Sequence, residues 1–299
     1  MCEGMKKIKI GFLGYGTKAL NCLMEHPLFE VRYFFVSKAR LCPEVYEARE
    51  AYKEYLEMEV MEDNKQLQER FAQLQDVDCF LMNACSIILD ARTLSRMNVY
   101  NIHPGDLGTN RGHHPHLWTV LLGERRSKIV LHSVSEEIDA GGIVKAIEVP
   151  VYAEDGAREV LERLEGNIPL LLDAFYRHLT EHTGYEEMVK GGDYRRMMMH
   201  DDYEIALAAD APERMQRKIL ARNLYHGAFF CYGKVRIYVD AILSYREYEE
   251  RKEGAVTIRI DPEEQIVYVD AMWRNIRFHL HHVEEMEGEN LEQTERSCT

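Results

Sequence analysis

The chain opens on an alternating apolar run, Lys7 to Leu13, that ends in Gly14-Tyr15-Gly16. This is the pattern of a strand entering a tight turn. Thr17 to Glu25 follows with apolar residues at helical spacing, and Thr17 is placed to cap that helix. Val31 to Val36 is β-branched and aromatic, a second strand. Pro43 begins a helix, Glu59 to Met61 reads as a short strand, and Lys65 to Leu74 as a helix. Val77 to Met82 is an apolar run interrupted by Asp78, as expected of a parallel strand buried on both faces. Val99 to Ile102 and Ile129 to Val134 add two strands, with a helical stretch, His116 to Leu122, between them. Gly156 to Thr180 reads as one long amphipathic helix. Strands alternating with helices predict an α/β fold, a Rossmann-like, mostly parallel sheet with helices on both faces.

After about residue 185 the pattern changes. Lys190-Gly-Gly-Asp is turn-rich, and helical spacing returns only at Ala211 to Leu220. The rest is strand-like: Ala228 to Cys231, Val235 to Val239, Ala255 to Ile260, Ile266 to Ala271 and Ile276 to His279. Tyr232-Gly233 suggests a hairpin and Asp261-Pro262 a turn. These runs predict a small antiparallel β domain, barrel-shaped and OB-like. The chain is therefore divided into residues 1–200, a catalytic α/β domain, and residues 201–299, a β-rich domain. The last dozen residues are polar and read as a frayed end.

Composition narrows the setting. With 299 residues, 46% hydrophobic and 29% charged, the chain has the balance of a soluble protein with room for a large core and a second domain. The apolar run from Cys79 to Leu89 contains Asn83 and Ser86 and is too short and polar to span a bilayer. The first residues carry no signal-peptide apolar stretch. Seven cysteines, an odd number without a CxxC pair, point to free thiols in a reducing compartment, hence a cytoplasmic protein. Lys and Arg number 37 against 51 Asp and Glu, a net charge of −14 that opposes a phosphate backbone. Neither nucleic acid nor membrane is the expected partner.

Three stretches could carry chemistry. Gly11-Phe-Leu-Gly14-Tyr-Gly16 joins a strand to a helix, but its spacing is not GxGxxG and no acidic residue closes the second strand. This weakens a dinucleotide-binding dehydrogenase reading. The turn either binds a polar ligand group at the helix start or is simply a tight turn. Asn101-Ile-His103-Pro places Asn101 and His103 on the same side of one strand, at the strand end where open α/β sheets build active sites. Ser135-Glu-Glu-Ile-Asp139-Ala-Gly-Gly follows another strand, and its glycines allow close approach. Alone, His103 could be a hydrogen-bonded structural residue and Asp139 part of an Asx turn. Together, Asn, His and Asp at neighbouring strand ends supply an oxyanion donor, a proton carrier and an orienting carboxylate. His113, His114 and His116 lack a completing Cys or carboxylate, so no metal is expected there; they suit a substrate mouth.

The sequence resembles the formyltransferases that use 10-formyltetrahydrofolate. Asn101-Ile-His103-Pro and Ile138-Asp139-Ala-Gly141 match the family's Asn-x-His and Ile-Asp-x-Gly pattern, with Arg111-Gly112, Trp118, Leu122-Gly-Glu124 and His132 falling where the family has counterparts. Tyr194-Arg-Arg, Asp201-Asp-Tyr-Glu-Ile and Arg222-Asn-Leu-Tyr-His-Gly227 are similar to the linker and C-terminal domain start of methionyl-tRNA and aminosugar members. The loop after His103 lacks the common Ser-Leu-Leu-Pro, and its Asn110-Arg111-Gly112 ending is closest in flavour to the nucleotide-sugar N-formyltransferases. The resemblance implies Asn101, His103 and Asp139 as the catalytic group. It implies Ser86, Ile87, Ile88, Leu89, Ala91, Glu136, Ile138 and Asp139 as the 10-formyltetrahydrofolate site, and Gly14, Gly16, Thr17, Arg111 and Gly112 as the acceptor site, with no metal. The acceptor is expected to be a small-molecule primary amine, foremost on an amino-sugar nucleotide, with methionyl-tRNA, a simpler amine or water as alternatives and homodimerisation left open. A non-catalytic binding protein on the same fold is the competing class.

Overall fold

The structure, a computed structural model, describes residues 6–74, 76–189, 191–249, 256–271 and 273–286. The frayed end expected over the last dozen residues, the Lys190 part of the predicted turn and the Ala255 start of the predicted strand lie outside these. The chain forms two compact units. The first comprises Met1–Pro115, Ser127–Val149 and Glu162–Arg195, and the second His116–Arg126, Pro150–Leu161 and Arg196–Thr299.

In the first unit the strands are β1 (Ile8–Gly14), β2 (Phe29–Ser37), β3 (Met58–Met61), β4 (Cys79–Asn83), β5 (Val99–His103), β6 (Arg111–Gly112), β7 (Arg126–Ser133), β8 (Gly142–Pro150), β9 (Glu187–Met188) and β10 (Tyr194–Arg195). Eight of them form one sheet in the order β3-β2-β1-β4-β5-β7-β8-β9, flanked by helices that include Thr17–Glu25 and Ile168–Glu181. From β3 to β5 every pairing is parallel, while β7 runs antiparallel to β5. Buried apolar strands meet helices at a core that includes Leu13, Phe35, Phe71, Phe80 and Met82. The expected mostly parallel α/β sheet is present.

Three local readings change. The helix N-cap is Gly16, without a side-chain cap, and Thr17 is already its first residue. The single helix read over Gly156 to Thr180 is two, Ala157–Glu165 and Ile168–Glu181, broken at Gly166-Asn167. Pro169, in the first turn of the second helix, lacks the N–H that would bond back across the break, so apolar periodicity continues where the backbone cannot. Strand β8 was hidden because the run from Gly142 to Pro150 mixes Lys145 and Glu148 with apolar residues.

The second unit carries β11 (Ala228–Tyr232), β12 (Val235–Glu247), β13 (Thr257–Asp261), β14 (Ile266–Ala271) and β15 (Arg274–Glu285). All pairings are antiparallel, in the order β11-β12-β15-β14-β13. The predicted hairpin joins β11 to β12 through Gly233, at φ 60°, as a two-residue turn requires. β12 and β15 are much longer than their apolar runs suggested. Backbone pairing extends past the buried residues, and irregularities at Tyr238/Val239, Val239/Ala241 and Ile242/Ser244 bend the pair. The expected small antiparallel β domain is present; among the described residues no pairing joins β11 to β13. Val267, Val269, Ile276 and Phe278 pack under the helix Pro212–Ala221, whose Met215 and Ile219 are buried with them. Among the described residues no helix is long and apolar enough to cross a membrane.

Candidate active site

The antiparallel turn in the sheet builds the site. β5 and β7 pair with Asn101 directly opposite His132. Cross-strand partners project from the same face, so both side chains stand on one side of the sheet while Ile102 turns into the core. His103, two residues on from Asn101, shares that side and is buried. The loop after β7 returns Asp139 to these three. Asp139 holds a left-handed backbone, φ 51°, which lets its carboxylate face inward from a tight loop.

The Asp139 carboxylate is the hub. Its Oδ2 accepts from the Gly112 N–H at 2.8 Å and lies 3.5 Å from His103 Nδ1. Its Oδ1 accepts from Asn101 Nδ2 at 3.3 Å and lies 3.4 Å from His132 Nε2. Burial pushes this carboxyl up, but the neighbouring His103 and His132 and the Gly112 N–H outweigh burial. Asp139 is held well below the usual carboxylate range and is ionised.

Each ring is fixed on its other side. His103 Nε2 lies 2.8 Å from the Asn110 carbonyl; a carbonyl only accepts, so Nε2 carries a hydrogen. His132 Nδ1 donates likewise to the Ser133 carbonyl at 2.9 Å, and its Nε2 lies 3.2 Å from Asn101 Nδ2. Asn101 thus turns its amide nitrogen toward both Asp139 and His132. The reverse orientation would set its carbonyl oxygen against an anionic carboxylate. Asn110 is itself fully buried, and its side chain accepts from Arg195 Nε at 3.1 Å. The short β6–β10 pairing then holds Gly112 in place to donate to Asp139.

The structure brings Asn101, His103, Asp139 and Gly112 into one network and adds His132 to it. The other expected residues stand elsewhere. Arg111 is buried, with Nη1 2.7 Å from Glu137 Oε1 and 3.1 Å from the Gly191 carbonyl, so its guanidinium is already engaged within the unit. Gly14 and Gly16 sit against the end of β4. A side chain at Gly14 would fall 2.0 Å from the Asn83 carbonyl oxygen, and one at Gly16 would fall 1.8 Å from Asn83 Oδ1. Close approach of two backbones accounts for both glycines before any ligand is considered. Ser86 to Ala91 leave β4, the strand beside β5. Ile87 and Leu89 turn into the core, whereas Ser86, Ile88 and Ala91 are exposed. Glu136 and Ile138 are exposed on the loop that carries Asp139.

Asn83 was missed as a functional candidate. It is buried at the end of β4, and its Nδ2 donates to the Ile102 carbonyl at 2.9 Å, between Asn101 and His103 of β5. The backbone of the Gly14-Tyr15-Gly16 turn also donates to this strand end, Gly16 N–H to the Asn83 carbonyl and Tyr15 N–H to that of Ala84. Asn83, through its side-chain amide and its backbone carbonyl, therefore ties the turn, β4 and β5 together. Its signal was present in the sequence as one of two polar residues, with Ser86, in the apolar run Cys79 to Leu89, read only as evidence against a membrane span. Asn110, by contrast, acts through a backbone carbonyl, which no residue type announces. Cys85 lies just beyond; burial pushes its thiol up to about 12, so it is no nucleophile at neutral pH.

Comparison with known proteins follows this geometry. A family model described as Formyl transferase matches residues 32–169, a span that contains Asn83, Asn101, His103, His132 and Asp139. The methionyl-tRNA formyltransferase of Synechococcus elongatus is 26% identical over 166 residues, covering 54% of this chain and 50% of that protein. The chain thus spans about half the length of the curated relatives it matches. Among solved structures, HypX from Aquifex aeolicus in complex with tetrahydrofolic acid superposes with a TM-score of 0.64 at 18% identity, over 95% of this chain and 45% of HypX. WlaRD, a sugar 3N-formyltransferase crystallised with dTDP and 5-N-formyl-tetrahydrofolate, gives 0.61 at 12% identity, over 91% of this chain and 97% of that one. These likenesses establish a shared fold. The sequence match is to the formyl transferase family over residues 32–169, the span that holds β4, β5, β7 and the Asp139 loop.

Proposed function

We propose that this protein transfers a formyl group from 10-formyltetrahydrofolate to a primary amine, with Asn101, His103 and Asp139 as the working group. The observation that carries the reading is the buried, ionised Asp139 held between two histidines and an asparagine amide, inside the span matched by the formyl transferase model. A ring with hydrogens on both nitrogens would satisfy both neighbours of His103, the Asn110 carbonyl and the Asp139 carboxylate. Such a ring is the cation suited to negative charge growing on a formyl oxygen. That oxygen would compete with the Asn110 carbonyl for the Nε2 hydrogen. Asn101 Nδ2 is a second donor, and Asp139 both holds His103 in register and can accept the amine proton, directly or through a water.

The folate site is proposed on Ser86, Ile87, Ile88, Leu89, Ala91, Glu136, Ile138 and Asp139. The residues suit a flat heterocycle. Between β4 and the short helix Ala91–Leu94 the chain is outside the sheet ladder, and Ile88 and Ile138 expose apolar side chains beside peptide groups. The co-substrate would supply the formyl group; a folate in this role is supported by HypX in complex with tetrahydrofolic acid and by WlaRD with 5-N-formyl-tetrahydrofolate.

For the acceptor we favour an amino-sugar nucleotide, held around Gly14, Gly16, Thr17, Arg111 and Gly112. The sugar N-formyltransferase neighbours support it, as does the net charge of −14, which disfavours tRNA. Methionyl-tRNA is the second reading, supported by the names of the curated relatives. Incubation with 10-formyltetrahydrofolate and either a panel of amino-sugar nucleotides or charged initiator tRNA, read by mass spectrometry, tests both. The expected product is the amino sugar heavier by one CO. Formylated methionyl-tRNA with unmodified sugars would replace that acceptor, and formate release alone would make water the acceptor.

A further inference from the structure

Far along the sequence from the catalytic network, the second unit gathers three imidazoles on its surface. Ring nitrogens of His226, His281 and His282 all lie within 4.8 Å of one another. We infer that these three histidines form a binding site for one divalent transition-metal ion of the imidazole-preferring kind, such as Zn2+.

Adjacent residues of a regular strand point to opposite faces, so His281 and His282 should diverge. They do not, because the ladder is irregular there: His282 pairs with Tyr238 while Leu280 pairs with Val239, leaving His281 as an extra residue on β15. A bulge of this kind re-aims side chains and is frequent beside functional sites. It brings His281 Nδ1 to 2.7 Å from His282 Nδ1. His226 arrives from the loop between the helix Pro212–Ala221 and β11. The next residue, Gly227, has φ 73°, and a side chain on it would fall 2.1 Å from the Val239 carbonyl, so only glycine lets the loop press onto β12 at the bulge. Upstream, the Arg222 guanidinium lies 4.2 Å from the ring centres of both Tyr203 and Tyr225, which anchors the other end of the loop. The His226 ring centre is then 5.3 Å from each of the other two.

The rings are also held from beneath. Tyr238 stacks flat on His282, centroids 4.3 Å apart at 7°, and its hydroxyl donates to Glu284 Oε2 at 3.1 Å. Arg236 Nη1 lies 3.3 Å from the same carboxylate. The carboxylate is thereby occupied, and the donor set left facing outward is three imidazoles. That set suits zinc, copper or nickel and not magnesium or calcium, which take oxygen ligands. Zinc–nitrogen bonds of about 2.1 Å in a tetrahedron put ligand nitrogens about 3.4 Å apart. The 2.7 Å pair needs to part by about 0.7 Å once a cation replaces the shared hydrogen. His226 and His281 are exposed, so an ion has access, and three protein ligands leave a fourth position for water or a further ligand. The chain's net charge of −14 favours a cation in general.

The test uses the full chain without an affinity tag, stripped with chelator, titrated calorimetrically with Zn2+ and checked with Co2+ for the visible absorption of tetrahedral nitrogen ligation. One equivalent should bind in the wild type. His281→Gln and His282→Gln should each weaken that event by about tenfold or more, and so should His226→Gln, which lies in a loop and threatens the fold least. His113→Gln/His114→Gln should leave it unchanged. Absence of a one-to-one event, wild-type affinity in the three single variants, or loss only in the His113/His114 variant would overturn the assignment.

Discussion

Two His–Asp pairs in this molecule invite comparison. His103 Nδ1 and Asp139 Oδ2 are 3.5 Å apart, with side chains 5% and 10% exposed. His279 Nδ1 and Asp240 Oδ1 are closer, 2.6 Å, but 39% and 38% exposed. The shorter contact joins two residues of neighbouring strands in open solvent, where water and salt screen it. The longer one is embedded among Asn101, His132, Asn110 and the Gly112 N–H, where protein groups rather than water surround it. Proximity alone does not make a working pair. Burial raises the strength of every interaction left, and the surrounding donors decide which ionisation state that strength supports.

The comparison breaks most directly at Asp139. Asp139→Asn and His103→Ala should each lower kcat/KM for formyl transfer by about 10²–10⁴-fold while circular dichroism stays native, measured by steady-state turnover with the acceptor found in the mass-spectrometric screen. Near-normal rates from either variant would put the catalytic reading out of court. Asn101→Ala should cost somewhat less, about 10²-fold and mostly in kcat, as for loss of one oxyanion donor.

The pH dependence sharpens the same contrast. The folded Asp139 carboxyl lies below its unfolded value near 3.9, so the stability it contributes is fully present above about pH 4 and is lost as pH falls through the depressed folded value. Urea midpoints of the wild type and Asp139→Asn should therefore converge as pH drops from 5 toward 2; parallel curves would mean that the carboxylate contributes no pH-dependent stability.

Asn83→Ala leaves the buried Ile102 carbonyl without its side-chain donor and should destabilise by about 1–3 kcal/mol, with a fall in kcat from loosening of β5. Chemical denaturation and kinetics on the same sample separate the two effects. The smallest change is expected at the exposed pair. Asp240→Asn should cost under about 1 kcal/mol and leave formyl transfer intact; a larger loss would show that solvent does not weaken that contact as argued.

Much of the first unit was legible from its pattern. Continuous apolar runs marked the buried parallel strands, and Asn101 and His103 at alternate positions of one short strand announced a shared face before any coordinates. His132 was legible only through resemblance to a family, because a histidine in an apolar strand has no distinctive spacing. Asn83 was visible but misread, since a polar residue within a buried strand states a need for a partner without naming it. The length of β12 and β15 and the break at Gly166-Asn167 escaped, because side-chain periodicity reports what is buried and not how far the backbone keeps pairing.

Local periodicity and residue type by themselves determined the α/β and β character of the two regions, the alternation that sets Asn101 and His103 side by side, and the candidate carboxylate. Tertiary structure alone decided that β7 runs antiparallel beside β5, which puts His132 opposite Asn101. It also decided that a left-handed turn returns Asp139 to both, and that a bulge aligns His281 with His282. The physical reason is common to all three. Which residues face one another depends on strand order, register and backbone irregularity, and these follow from contacts between segments far apart in sequence, which no local pattern encodes.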